Sequence, residues 1–312
     1  MALTLLEGNK YSRTELAGYV IDLLAKDSEI LMHLPFVSIM GNSLTYDMVT
    51  TRSGAGFYSV GGTWTESTQV MTQDTATLSI LGGDADVDNF VASTRSNILD
   101  VQGEVLKDKI KAVREKYLDT FYYGSGTTPE FKGMQGLISS TTYNTVVSNS
   151  SAVDGAAAST AKLQQAIDLV TGYKPTHLAM SKTMRRLLQT YIDSVGSAFP
   201  TQRDQYGKMQ EYFRGLIIIP DDHITITEST TAAGVYSTST ADDQTTLWIL
   251  TFDSKACCGI QGKNGIETIP LGDLETKDAK RWRIRWYCGA KFEDLRSCAK
   301  YCGILSGSAW TA

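Results

Sequence analysis

Three histidines, His33, His177 and His223, are the side chains of this chain whose ordinary pKa lies near neutrality. None of them lies in a G-x-S-x-G elbow, an H-E-x-x-H helix or a cysteine-protease motif. The sequence Asp221-Asp222-His223 follows a continuous apolar run, a position where many α/β enzymes carry catalytic residues. It equally fits an ordinary solvated strand end. A soluble α/β enzyme that uses these three residues is therefore an alternative function.

Two further groups of residues could hold a metal ion. Asp84, Asp86 and Asp88 have the spacing that begins a calcium loop, but Asn89 stands where glycine is needed and Arg95 where a bidentate glutamate is needed. We interpret the three aspartates as an acidic approach to the positive end of a helix. The five cysteines lack paired C-x-x-C spacing, so we expect buried small side chains. They are Cys257, Cys258, Cys288, Cys298 and Cys302. We expect no catalytic residue, metal or cofactor.

A row of arginines alternates with apolar residues near the C-terminal end. Arg281, Arg283 and Arg285 face one way, and Trp282, Ile284, Trp286 and Cys288 the other, which predicts a half-buried strand with a basic outer face. Such a row more often meets carboxylates across a strand or a subunit boundary. A diffuse contact with nucleic acid is the alternative.

Composition narrows the class of protein. The net charge is −5, whereas an autonomous nucleic-acid binder is usually basic. No apolar run approaches the length that spans a membrane, and the N-terminal residues soon become polar, unlike a signal peptide. We therefore expect a cytosolic chain with reduced thiols and no membrane contact.

One long helix is predicted over Ala92–Gly124, capped by Ser93 or Thr94 and ended by Gly124. About 28 helical residues at roughly 1.5 Å each give a rod of about 42 Å. The predicted apolar stripe consists of Ile98, Val101, Val105, Ile110, Val113, Tyr117 and Phe121. The cations Lys107, Lys111 and Arg114 cover other faces.

The stretch before this helix, residues 37–91, predicts a long hairpin that cannot form a core of its own. Two strand-like runs flank the glycine-rich stretch Ser53–Thr65, which carries Phe57, Tyr58 and Trp64. An isolated two-stranded hairpin is marginal in water. We therefore expect its aromatic side chains to need a surface outside the subunit. The alternative is a hairpin that folds back on its own domain.

The region after the helix alternates helix and strand patterns. Helices are predicted over Lys162–Thr171 and from a Ser181 cap to about Val195, and strands over His177–Met180, Gly215–Ile219 and Thr246–Phe252. This pattern indicates a compact α/β domain. A further amphipathic helix is predicted over Arg13–Ala25.

This order of elements resembles the tailed-bacteriophage major capsid proteins, whose fold encapsulin shells share. Pro129–Met134 is similar to the segment that follows the spine helix in that family, and Thr176–Leu188 to its strand-then-helix pattern. The resemblance implies an α+β phage-capsid fold in four parts. These are an N-terminal arm (1–36), an extended β-hairpin loop (37–91), a peripheral domain with the spine helix (92–158 and 276–312) and an α/β axial domain (159–275).

The resemblance also implies a function: self-assembly into the icosahedral shell around a double-stranded DNA phage genome. Expected partners are copies of the chain in pentamers and hexamers, separate scaffolding and portal proteins, decoration proteins, and packaged DNA contacted non-specifically. The location would be the virion, after assembly in the bacterial cytoplasm. An encapsulin-type compartment is the alternative within the same fold.

Contacts between subunits would use the aromatic residues of the loop, the spine-helix cations and the arginine row. Some family members weld subunits through a loop lysine, but this chain has no lysine between Lys26 and Lys107. The resemblance therefore implies a shell held by non-covalent contacts or an auxiliary protein.

Overall fold

A computed structural model describes residues 3–4, 28–51, 53–95, 101–138, 145–149, 155–196, 200–203, 207, 209–230, 236–238 and 243–311. The predicted helix Arg13–Ala25 lies outside these residues. The helices in the described part are α1 (Glu29–His33), α2 (Asn89–Arg95), α3 (Val101–Tyr123), α4 (Met134–Leu137), α5 (Thr160–Asp168) and α6 (Lys182–Ser194). None of them is both long enough and apolar enough to cross a membrane.

The strands fall into two larger sheets and one separate pair. The first eight are β1 (Leu3–Thr4), β2 (Pro35–Ile39), β3 (Ser43–Thr51), β4 (Val70–Thr77), β5 (Ser79–Asp88), β6 (Val146–Ser148), β7 (His177–Met180) and β8 (Thr201–Arg203). The others are β9 (Met209–Phe213), β10 (Leu216–Pro220), β11 (Glu228–Thr230), β12 (Tyr236–Thr238), β13 (Gln244–Leu250), β14 (Cys257–Asp273), β15 (Ala279–Phe292) and β16 (Ala299–Leu305).

The five-stranded sheet has the order β1-β2-β14-β15-β5, with β2 parallel to β14 and the other pairs antiparallel. Its strand β15 confirms the predicted alternation, because Ile284 and Trp286 are buried while Arg283 is exposed. Alternate residues of a strand point to opposite faces, so one face of this sheet packs on α3 and the other meets solvent.

The helix α3 supplies the other side of that core. Its residues Val113, Tyr117 and Phe121 are buried, as the predicted stripe requires. The Tyr117 ring lies 4.6 Å from the Trp286 ring of β15, within the range of favourable aromatic pairs. This stripe therefore fixes the helix across the five-stranded sheet.

The start of the predicted helix differs from the prediction. The described residues form two helices, α2 and α3, and residues 96–100, which include Ile98, lie outside the description. The predicted caps Ser93 and Thr94 are wrong, because both hydroxyls donate to the carbonyl oxygen of Phe90 inside α2. Asp88 caps α2 instead, since its Oδ1 accepts from the amide of Phe90 at 2.8 Å.

The predicted end of the helix at Gly124 is confirmed, because there is no room for a side chain at this position. A Cβ atom there would lie 2.4 Å from the carbonyl oxygen of Phe131 and 2.5 Å from that of Thr120. The amide of Gly133 also donates to the carbonyl oxygen of Gly124 at 2.9 Å. Only glycine therefore lets the returning chain approach the last turn of α3 so closely.

The predicted hairpin is present as a two-stranded sheet of β3 and β4, which has no further strand neighbour among the described residues. The pairing runs from Ser43↔Thr77 at its base to Thr51↔Val70 at its far end. Residues 53–69, which we call the hairpin tip, connect the two strands beyond that point.

The nine-stranded sheet follows the predicted α/β region. Strand β7 lies between β10, to which it is parallel, and β13, to which it is antiparallel. The strand His177–Met180 and the Ser181 cap are confirmed, since the Ser181 hydroxyl accepts from the amide of Met184. The predicted helix Lys162–Thr171 begins and ends earlier, as Thr160–Asp168, and the carbonyl oxygen of Ser159 accepts its first helical hydrogen bond, from Leu163.

The two sheets divide the chain differently from the expected domain boundaries. Strand β14, expected in the axial domain up to residue 275, pairs with β15 and β2 in the five-stranded sheet. Strand β16, expected in the peripheral domain, pairs with β13 in the nine-stranded sheet. One continuous core joins the two sheets, because Tyr122 of α3 contacts Trp248 of β13.

Candidate assembly surfaces

The hairpin tip exposes aromatic side chains to solvent. Phe57 is fully exposed and Trp64 is 78% exposed, so neither is covered by the part of the subunit that the structure describes. Tyr58 stacks on Trp64 with 4.3 Å between ring centroids, and its hydroxyl donates to the carbonyl of Thr65 at 3.3 Å. The tip is therefore organised by its own contacts, and it presents an apolar surface outward.

The base of the hairpin, in contrast, is fixed to the body. Ala76 and Leu44 pack with Ile260 of β14 in a small separate core. The ammonium group of Lys291 lies 5.5 Å from the centre of the Tyr46 ring, and burial raises the pKa of the Tyr46 hydroxyl above its usual value. The alternative of a hairpin folded back on its own domain thus holds for the base, while the tip projects from it.

The cations of α3 lie on faces away from its buried stripe. Lys107 donates to Glu104 at 2.7 Å one turn earlier on the same helix, and Lys111 is exposed. Arg114 is half-buried. Of these three cations, Lys111 is therefore the one most open to a partner.

The arginine row meets carboxylates within its own chain. Arg281 binds both oxygens of Asp86 at 2.6 and 2.7 Å, and Arg283 binds both oxygens of Asp84 at 2.7 and 2.8 Å. Arg285 binds Glu267 of β14. This confirms pairing across strands, the first of the two arrangements that we weighed, and it leaves the predicted basic outer face electrically balanced.

These fork-shaped pairs also shift the titration of the acids. The hydrogen bond from Arg283 lowers the pKa of the Asp84 carboxyl below its usual value, and Arg281 does the same to Asp86. Asp84 and Asp86 are thus held by arginines and Asp88 by a helix end. Within the described residues no cluster of metal-ligating side chains is found.

The three candidates for an enzyme site do not converge. Asp221 is buried and accepts from the Tyr122 hydroxyl at 3.2 Å, and burial raises the pKa of its carboxyl. Asp222 binds Lys182 at the surface, and the Nδ1 atom of His223 lies 2.6 Å from Asp119 of α3. Each side chain is used in a separate contact between elements.

The remaining polar candidates are also structural. The His33 and His177 rings lie 4.8 Å apart, and burial, with the nearby His33 charge, lowers the pKa of His177 to about 3. All five cysteines are buried and none forms a disulfide, which confirms the expected small buried side chains.

A buried polar cluster at the end of α3 was not predicted. Glu228 of β11 is fully buried and accepts hydrogen bonds from Tyr123 and Thr246. Burial raises the pKa of its carboxyl to about 7, although the nearby Lys300 opposes the shift. The sequence offers one signal for this cluster, which is that charged residues occur in strand-like segments. That signal does not show that Glu228 and Lys300 lie close together.

These surfaces together define a class of protein. A core of two sheets and a spanning helix carries a long hairpin whose aromatic tip is exposed to solvent. An exposed apolar surface of this kind marks a site that binds another protein. The class is that of shell-building proteins.

A family model described as phage capsid protein matches residues 131–301, which is more than half of the chain. The chain belongs to the phage capsid protein family. It is a shell-forming major capsid protein of a bacteriophage. No curated protein matches it in sequence.

Solved structures share its fold. The SrpI encapsulin of Synechococcus elongatus has a TM-score of 0.68 at 14% identity, over 91% of this chain and 90% of that one. The structure of Mycobacterium phage Bobi has a TM-score of 0.60 at 12% identity, over 91% of each chain. The satellite phage P4 procapsid, which includes the size determination protein Sid, has 0.54 at 10%, over 94% and 92%.

Proposed function

We propose that the shell formed by this chain is icosahedral and encloses a double-stranded DNA genome, and that the hairpin tip binds a neighbouring copy. The observation that carries the proposal is the exposed tip, where Phe57, Tyr58 and Trp64 form an apolar surface. Burial of an aromatic side chain of that size contributes about 1.5–3 kcal/mol. A subunit held by several such contacts stays in the shell even when each contact is weak.

The proposed domains follow the two sheets. The spine helix α3 and the five-stranded sheet form the peripheral domain, from which the hairpin β3–β4 extends as the loop. The nine-stranded sheet with α5 and α6 forms the axial domain. This division moves β14 out of the expected axial range 159–275 and β16 into the axial domain.

Charged groups on the peripheral domain would guide the neighbour into place. Lys111 is more exposed than Lys107 and Arg114, which makes it the first candidate of these three for a contact with a partner's carboxylate. Lys107 and Arg114 would support it. Arg281, Arg283 and Arg285 already bind acids in their own chain. A neighbour would therefore meet a surface of alternating positive and negative charges whose sum is near zero.

The proposed assembly needs more than this chain. Copies would form pentamers and hexamers around a portal, in the cytoplasm of the bacterial host, before the particle becomes a virion. A separate scaffolding or size-determining protein would set the radius, as the similarity to a procapsid that includes such a protein suggests. Decoration proteins and non-specific contacts with the packaged DNA complete the proposal.

Replacement of the tip tests its role. Thr51 and Val70 are directly paired, so an Asn-Gly turn in place of residues 52–69 closes β3 and β4 as a two-residue hairpin without a change of register. The shortened subunit should fold and stay soluble but form no closed particles, measured by negative-stain electron microscopy and size-exclusion chromatography.

The matched control keeps the length of the tip and changes only small polar residues. Exchange of Thr63 and Ser59 for alanine leaves the Tyr58–Trp64 stack in place and should leave particle formation unchanged. If the shortened subunit forms closed particles as the unaltered chain does, the tip has no role in assembly.

An encapsulin-type compartment is the second candidate, favoured by the TM-score of 0.68 to the SrpI encapsulin against 0.60 to the structure of Mycobacterium phage Bobi. An encapsulin shell would carry a cargo enzyme. Expression with the neighbouring genes therefore separates the two: a stoichiometric co-purifying enzyme supports the compartment, and particles that package DNA through a portal support the phage.

A further inference from the structure

A second apolar surface lies at the opposite end of the same hairpin. It is an open cleft of about 580 Å³, lined by Ile39, Met40, Leu78, Ile80, Lys263 and Tyr287 among others. Met40 and Ile80 at its rim are 83% and 75% exposed. Its lining is mainly apolar, so aromatic rings can pack against it. We call it the base cleft.

An irregularity in β14 opens this cleft. The pairing of β14 with β15 shifts between Gln261 and Ile266, so that the residues between them bulge from the sheet. Gly262 lies within the bulge, where a Cβ atom would come 3.2 Å from the Cβ of Tyr287. Bulges of this kind are often found beside functional sites, because they redirect side chains.

The charges of the base cleft and the hairpin tip are complementary. Lys263 is the charged residue among those that line the cleft, and it is exposed. Glu66 is the charged residue in the tip sequence 53–69, and it is exposed close in sequence to Trp64. One apolar surface therefore carries a single positive charge and the other a single negative charge.

The hairpin tip cannot reach the base cleft of its own subunit. The paired part of β3 from Ser43 to Thr51 spans about 26 Å at roughly 3.3 Å per residue. The cleft lies at the Ser43 end and the tip beyond the Thr51 end. Any tip that fills this cleft must belong to another molecule.

We infer that the base cleft of one subunit receives Phe57 and Trp64 from the hairpin tip of a second copy, with Glu66 of that copy beside Lys263. This inference rests on the proposed function, in which the tip binds a neighbour. The contact is heterologous, since the tip and the cleft are different surfaces of each subunit. Contacts of this type produce rings and continued lattices rather than closed pairs, which is what a shell requires.

A charge exchange tests the contact. Lys263→Glu places two acids together and Glu66→Lys places two bases together, so each single variant should lose closed particles. The double variant restores an ion pair with the two charges exchanged, and it should form closed particles again. Both positions are exposed, so each variant should keep the circular dichroism and melting temperature of the unaltered subunit, and electron microscopy then reports assembly alone.

Several results would overturn the inference. If both single variants form particles normally, or if the double variant fails to regain them, Glu66 does not meet Lys263. If only Lys263→Glu blocks assembly, the cleft receives a different segment, such as the N-terminal region of a neighbour.

A disulfide test identifies the occupant directly. Thr63→Cys subunits mixed with Asn42→Cys subunits should form disulfide-linked dimers on oxidation in assembled particles, whereas either variant alone should not, and both substitutions leave the apolar contact residues in place. Absence of the mixed dimer in intact particles overturns the inference. The shortened hairpin separates this inference from the proposed function. If the shortened subunit fails to assemble while Lys263→Glu forms normal particles, the tip binds a neighbour at another surface, and the proposed function still stands.

Discussion

The buried carboxyl of Glu228 predicts a measurable dependence of stability on pH. Burial raises its pKa from an ordinary value of 4.5 to about 7, so the folded subunit binds a proton that the unfolded chain releases between these two values. A group with a raised pKa stabilises the fold fully below the unfolded value, and this contribution is lost as pH rises to about 7. Each pKa unit corresponds to 1.36 kcal/mol, which gives on the order of 3 kcal/mol across this window.

The substitution Glu228→Gln removes the titrating group while it keeps an oxygen that accepts from Tyr123 and Thr246. The free energy of unfolding of the dilute subunit, measured with denaturant at intervals from pH 4.5 to 8, should fall with pH in the unaltered chain. In the variant the slope should be smaller, by about 3 kcal/mol over the whole range.

The control is Glu130→Gln, which removes a carboxylate that forms an ion pair with Lys116 at the surface. This variant should keep the pH profile of the unaltered chain. Parallel profiles for the Glu228 variant and the unaltered chain would refute the reasoning, because they would show that the fold does not favour the protonated form of Glu228.

Two further predictions concern local structure. Gly124→Ala should lower the free energy of unfolding by about 1–3 kcal/mol, because its Cβ would overlap the carbonyl oxygens of Phe131 and Thr120. The control is Gly307→Ala, at an open position without a positive φ, and equal melting temperatures of the two variants would contradict the prediction. Ser181→Ala should cost about 0.5–1 kcal/mol by removal of the cap on α6, measured by thermal melting, whereas Ser181→Asp, which can still cap, should melt near the unaltered chain.

Local chemistry made part of the fold predictable. The Ser181 cap and the strand His177–Met180 follow from residues close together in sequence, and so does the alternation around Trp286. The predicted caps Ser93 and Thr94 are wrong because several polar residues lie around the first turn of α2, and Asp88 is the one whose carboxylate accepts from the free amides of that turn.

Pairing between distant segments was not predictable in the same way. Strand β14 mixes glycine, lysine and asparagine, so its pattern hides a strand of 17 residues. The partners of the arginine row had a weak signal, since Asp84 and Asp86 alternate with the same period as Arg281 and Arg283. The base cleft had none, because it depends on the irregular register of β14 and on the place where the hairpin leaves the body.

The order of the strands along the chain has a consequence for synthesis. Strand β15 lies between β14 and β5, and β16 lies between β13 and β6, so each sheet lacks an inner strand until residues 279–305 have been made. A chain still on the ribosome before that point carries the aromatic tip but neither finished sheet. Both sheets, and with them the wall of the base cleft that Tyr287 supplies, can therefore be completed only after residues 279–305 have been made.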